Sequence, residues 1–135
     1  MTEILMSMQK PYTDLIISGT KTSELRLRAP AEIPSYKVVV YESKTNGGCG
    51  KVLFEFVCYR EFLHAASNRL DPGLLTRAAV PYSYLRKYTR YFTQSFTEMF
   101  IGDLVVYDTP RELSEYGVKR APMSWQYLRR KTDAN

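Results

Sequence analysis

The sequence predicts an α+β fold, in which a mostly antiparallel sheet is small enough to close into a barrel and helices pack beside it. Three observations predict this. Short apolar or alternating stretches recur at residues 4–8, 22–28, 38–41, 51–58 and 99–107, at the length of strands. A helical pattern follows the first of them, and a second fills the middle of the chain. No repeat, low-complexity stretch or linker divides the 135 residues, so residues 1–135 read as one domain.

Residues 4–8 are an apolar run suited to a first strand. Residues 11–18 then read as a helix. Pro11 suits its first turn, Leu15 and Ile16 face the core, and Gly19 stops it. Residues 22–28 alternate, with Leu25 and Leu27 on one face and Glu24, Arg26 and Arg28 on the other. Pro30 and Pro34 punctuate the loop that follows. Residues 38–41 form a β-branched run ending in Tyr41, expected to be a buried strand. The Gly-rich TNGGCG turn leads to residues 51–58, where Val52, Phe54, Phe56 and Cys58 share a face, so Tyr41 and Val52 flank a hairpin or its longer equivalent.

The middle differs. Asp71-Pro72 signals a helix start, and YLRKYTRYF sets Leu85, Tyr88 and Phe92 at helical spacing. Residues 99–107 return to strand-like composition, interrupted at Gly102-Asp103. Thr109-Pro110-Arg111-Glu112 fits a capping box, with Thr109 as cap, Pro110 in the first helical position and Glu112 reaching back. Gly117 ends that turn, and residues 132–135 are expected to fray.

Composition narrows the partners. A net charge of +5 means that a polyanion meets no net repulsion. Eleven tyrosines supply apolar bulk with polar tips, suited to planar or polar partners. With two cysteines and one histidine, a structural zinc site lacks its ligands. Cys58, in an apolar run, reads as a small buried hydrophobe, and His64 as a surface or boundary residue. No apolar stretch has spanning length and no signal peptide is evident, so a cytoplasmic setting without membrane contact is expected.

The segment SGTKTSELRLR carries the chemistry. Arg26 and Arg28 form a fork for phosphate or carboxylate, Glu24 is close enough to orient one of them, and Lys21 reaches over the same face from the turn. On pattern alone, the first reading of these residues is the solvated face of a half-exposed strand.

MQKPYTDLIISGTKTSELRLR resembles the N-terminal signature of the ASCH domain family, in the PUA-like superfamily of small β-barrels. Gly19, Lys21, Thr22, Glu24 and Arg26 fill its Gly-x-Lys-Thr-x-Glu-x-Arg pattern. VVVYESK resembles the family's next strand, and YDTPRELSEYGVKRAPMSWQYL its C-terminal segment; residues 68–97 match least. The resemblance implies a barrel of about six strands and a cleft, between barrel and helices, that takes RNA or a nucleotide-like ligand. Lys21, Glu24, Arg26 and Arg28 would line it. Ser43 and Lys44 would sit at its rim, and Ser124 and Trp125 at its wall. For Lys44 a solvated strand end is an equal reading, and for Trp125 a core anchor is the first reading. Met123 stands where the family pattern commonly has Gln.

Some members resemble amidohydrolases of acylated cytidine nucleosides, with a Lys, Thr and Glu set. Here Lys21 keeps the first position and Glu24 replaces the Thr. The helical stretch at 80–92 carries no acidic residue, and Glu98 follows it. The alternative function is therefore a small hydrolase, amidohydrolase or esterase, acting on a modified nucleoside in the same cleft. Lys21 and Glu24 would be its acid–base pair if burial drew both towards neutrality. A third reading is a protein-interaction module with an exposed apolar patch and no ligand-sized cleft. Tyr82, Tyr84, Tyr88 and Tyr91, interleaved with Arg86, Lys87 and Arg90, fit either a half-packed helix or a single-strand binding surface. No cofactor is implied, and the oligomeric state is left open.

Overall fold

The structure, a computed structural model, describes residues 1–130. The fraying expected at 132–135 lies outside the described residues. Six strands form one sheet: β1 (Glu3–Met8), β2 (Ser23–Arg26), β3 (Tyr36–Glu42), β4 (Lys51–His64), β5 (Phe96–Arg111) and β6 (Trp125–Arg129), in the order β2-β5-β4-β3-β1-β6. β1 and β3 run parallel, and the other neighbours are antiparallel. Helices α1 (Tyr12–Ile17), α2 (Leu74–Ala78) and α3 (Tyr82–Tyr88) are short. Among the described residues, no helix is long and apolar enough to cross a membrane.

The strand period builds the core. Ile4, Met6 and Met8 of β1 pack with Val38 and Val40 of β3 and with Phe54, Phe56 and Cys58 of β4 on one face. Leu5, Val39 and Val52 point to the other face, where Tyr107, Leu113 and Leu128 cover them. Both faces of the central strands are thus buried, which is why residues 38–40 read as an unbroken apolar run. Burial also pushes the Cys58 thiol up to about 11, so it stays neutral. Of the two residues expected to face the core from α1, Ile16 is buried and Leu15 only half-buried.

The sheet does not close into the expected barrel, because β2 and β6 are its two edges. The hydrogen-bonding groups on the free side of β2 are already engaged by the helical insertion. Thr22 N donates to Arg77 O (2.8 Å). Leu27 N donates to the Tyr88 hydroxyl (3.1 Å), which donates to Leu25 O (3.5 Å). The insertion is held there by a third apolar cluster, in which Leu25 meets Leu74, Ala78, Val80, Leu85 and Phe96. An edge covered in this way has no ladder to offer another strand. α3 ends at Tyr88, so Phe92 reaches this cluster from the turn beyond rather than from the helix.

β5 runs through Thr109 and Pro110, where a helix cap was expected. Arg111 pairs with Val52 and Val106 with Phe54, so residues 107–110 bulge opposite Leu53. A bulge asks no ladder bond of Pro110, which has no N–H to give. The capping box lies one step on. Glu112 caps a 3-10 turn at Leu113–Tyr116, Glu115 reaches back to Glu112 N (2.8 Å), and Gly117 at φ +71° ends the turn. At the Gly102 interruption the strand continues, and a Cβ there would fall 2.7 Å from the Tyr59 ring.

His64 is buried rather than at the surface. Its Nε2 lies 2.9 Å from Glu98, a carboxylate with no exposure, which also accepts from Arg77 Nε (2.8 Å). Arg77 in turn donates to Asp71 (2.7 Å), so this chain of charges ties the insertion to β4 and β5. Replacing Tyr88 by Phe removes only the hydroxyl that covers β2. Tyr88→Phe is expected to cost about 1 kcal/mol, read as a lower urea midpoint at unchanged m-value.

Candidate functional site

Gly19, at φ +81°, turns the chain at the end of α1. Lys21 N then bonds back to Leu15 O (2.9 Å), which sets Lys21 at the foot of β2. From there the strand period puts Glu24 and Arg26 on one face. That face looks into a cavity of about 560 Å³ beside the open edge of the sheet. The volume is in the range of small-ligand sites.

Three charged side chains form its floor. Lys21 is 3% exposed and Glu24 8% exposed. Lys21 Nζ donates to Ala78 O (2.7 Å) and lies 3.3 Å from Glu24 Oε1. Arg26 donates to Glu24 Oε2 from Nε (2.9 Å), and its Nη2 lies 2.8 Å from the same oxygen. Arg26 then reaches across the gap in the sheet. Its Nη2 donates to Ser7 O on β1 (2.9 Å), and its Nη1 to Ser124 Oγ just before β6 (3.1 Å). Side chains cross where a ladder does not.

Burial by itself would push the Glu24 carboxyl up. The guanidinium of Arg26 and the ammonium of Lys21 outweigh it and hold the carboxyl below its ordinary value. Glu24 is therefore ionised. The acid–base pair considered for a hydrolase needed the opposite shift, and a carboxylate with both oxygens engaged carries protons poorly.

One wall is aromatic. Tyr84 and Tyr88 of α3 stack at 5.5 Å between ring centroids, and Tyr12 of α1 meets Tyr84 at 5.9 Å. The opposite wall is the segment Ala121–Met123. Ser7 holds it, donating Oγ to Pro122 O (2.6 Å) and N to Ser124 O (2.9 Å). Tyr41 and Ser43 complete the lining from the end of β3. Buried Glu42 fixes that end by accepting from Thr13 of α1 and from Cys49 N.

The expected site residues are distributed as follows. Lys21, Glu24, Arg26 and Ser43 line the cavity. Ser124 reaches it through Arg26. Arg28 does not share the face of Arg26, because β2 ends at Arg26 and the chain turns away once Leu27 N is bound to Tyr88. Arg28 is exposed, and only its carbonyl is engaged, by Trp125 Nε1 (3.0 Å). Trp125 packs half-buried against the main core. Lys44 is exposed and lays its aliphatic stem over Gly50, away from the cavity lining. Tyr12 and Tyr41 carried no signal in the sequence as cavity residues. Tyr84 and Tyr88 belong to the aromatic and basic run that reads as either a half-packed helix or a single-strand binding surface.

Comparison with known proteins adds three findings. The family model described as ASCH domain matches residues 6–108. The crystal structure of ASCH from Zymomonas mobilis superposes with a TM-score of 0.79 at 20% identity, covering 97% of this chain and 90% of that one. Two variants of the Zymomonas mobilis protein, one with a tyrosine replaced by phenylalanine and one with a serine replaced by alanine, give TM-scores of 0.73 and 0.74 at 19% identity. They cover 97% of this chain and 92% and 90% of theirs. Among curated protein sequences nothing matches.

A carboxyl held low in the folded state stabilises the fold above its unfolded pKa. That contribution is lost as pH falls through the depressed folded value. Glu24→Gln is therefore expected to cost about 3 kcal/mol near neutral pH, because buried Lys21 loses its counter-charge. Wild type and variant should converge in stability below the ordinary Glu range, as measured by denaturant titrations across pH.

Proposed function

Because this chain belongs to the ASCH domain family, a PUA-like fold family proposed to bind RNA, we propose that it binds single-stranded RNA by taking an unpaired nucleotide into the cavity beside β2. The observation that carries this reading is the pairing of an aromatic wall with a cationic floor. Tyr12, Tyr84 and Tyr88 offer ring faces, and Lys21 and Arg26 offer charged donors, within one cavity of about 560 Å³. RNA is read chiefly through unstacked bases laid on aromatic side chains, and this wall supplies them.

The charge arithmetic shapes the mechanism. Lys21 and Arg26 carry two positive charges and Glu24 one negative, so the floor contributes a net charge of about one to phosphate attraction. Stacking and directed hydrogen bonds then carry most of the affinity inside the cavity. The steep salt dependence that an exposed Lys21–Arg26–Arg28 patch would give is replaced by a shallow one. A cytoplasmic setting suits an RNA ligand and belongs to the same proposal.

The test is fluorescence anisotropy with a labelled single-stranded RNA octamer. Wild type should bind, and Tyr84→Leu should weaken binding by about 5- to 100-fold, the range of one lost base stack. Absence of binding at low salt, or full affinity in a folded Tyr84→Leu protein, would sink the reading. Release of an acyl group from an acylated nucleoside, abolished in Lys21→Ala, would identify hydrolysis in its place.

A further inference from the structure

Right-handed α3 stops at Tyr88, and the chain then winds the other way. Arg90, Tyr91 and Phe92 stand at φ +50°, +59° and +63°, three successive left-handed residues of which none is glycine. A Cβ crowds the following carbonyl in this conformation, so such residues ordinarily occur singly. Here the surroundings hold all three. The buried Thr89 hydroxyl accepts from Phe92 N (3.1 Å) and donates to Leu85 O (2.8 Å). Tyr91 N donates to Arg86 O (2.6 Å), and Phe92 packs on the apolar cluster over β2. The Tyr91 ring has no share in this. It is 69% exposed, joins none of the three apolar clusters and does not line the cavity. The Arg86 guanidinium lies 5.0 Å from its centroid. Right-handed winding would instead carry Tyr91, three positions past Tyr88, to the face that Tyr84 and Tyr88 share. Backbone strain held in this way concentrates at ligand clamps.

The charge of the segment says what the ring meets. Arg86, Lys87 and Arg90 are exposed, and among the described residues none of them is in a salt bridge. Residues 72–97 contain no Asp or Glu. We propose that the outer side of α3 and its left-handed turn form a second contact surface for single-stranded RNA, in which Tyr91 stacks on a base and Arg86, Lys87 and Arg90 meet phosphates. The proposal rests on the RNA-binding reading above and extends it from one nucleotide in the cavity to the strand that leaves it. α3 connects the two places. Tyr84 and Tyr88 wall the cavity, Lys87 adjoins Tyr84 at a spacing of three, and a helix with its side chains is only about 10–12 Å across. A single strand offers base faces and charged backbone together, and this surface offers an exposed ring beside uncompensated cations.

The experiment follows the same labelled RNA octamer by anisotropy against salt, with two variants whose folding is checked in urea. Tyr91→Gly removes the ring and suits the left-handed backbone. It is expected to hold or raise the urea midpoint while weakening the octamer by about 5-fold or more. Arg86→Gln, Lys87→Gln and Arg90→Gln together are expected to flatten the plot of log affinity against log salt by about two units of slope. If wild type binds and both variants keep its affinity and slope, this surface is overturned and the cavity reading stands. A lower urea midpoint with unchanged affinity in Tyr91→Gly also overturns it, because the ring then serves the fold. If wild type fails to bind the octamer, the RNA reading falls and this proposal with it. In that case, binding to vesicles of phosphatidylcholine and phosphatidylserine in equal parts, lost in the triple variant, would assign the surface to lipid.

Discussion

Glu24 sits between two cations, and the open side of the sheet is built around it. With Lys21 on one oxygen and Arg26 on the other, a carboxylate that burial would otherwise protonate stays charged. Each cation then spends its remaining donors on a different part of the chain. Lys21 takes the carbonyl of Ala78 in α2, and Arg26 takes Ser7 of β1 and Ser124 before β6. Three segments far apart in sequence are thereby set around one carboxylate. A buried ion cluster of this kind is costly to assemble and stabilises only when every member is paired. Here that demand fixes the cavity's shape.

The helical insertion serves the same end. It buries Leu74, Ala78 and Leu85 against Leu25, and in doing so covers the free edge of β2. It also carries Tyr84 and Tyr88 to the cavity. One segment therefore keeps the sheet open and supplies the wall of the space left open. Arg77 pins it further, through partners Glu98 and Asp71 that anchor it to β5 and to the loop before α2. Glu98 is held below its ordinary value although burial pushes the other way, because its hydrogen bonds with Arg77 and His64 outweigh it. The two sets of paired charges meet the insertion at adjacent residues of α2, Arg77 and Ala78, where Ala78 also joins the apolar cluster.

Chemically, the cavity differs from a basic surface patch. Lys21 is buried and Arg26 half-buried, and both are paired with Glu24. That arrangement favours recognition of an edge over attraction to a backbone. The tyrosines offer area without direction.

Much of this was legible in the sequence, and the boundary is physical. Unbroken apolar runs exposed β1 and β3, because a central strand is buried on both faces, and period-two alternation exposed most of β4, because one-sided burial marks every second residue. The Gly-x-Lys-x-x-Glu-x-Arg spacing placed Lys21, Glu24 and Arg26 on one wall for the same reason. Arg28 broke the rule because the strand ends at Arg26, and it ends there because Leu27 N is claimed by Tyr88, a residue 61 positions away. His64 read as a boundary residue because its partner, Glu98, lies on another strand. The same limit hid the open barrel, the bulge at Pro110 and the roles of Tyr12 and Tyr41. The sequence by itself determined which residues share a face along each strand and which charges adjoin. Tertiary structure decided which edge stays open, which tyrosines wall the cavity and which segments Lys21 and Arg26 join, because each depends on hydrogen bonds between segments whose separation leaves no periodic trace.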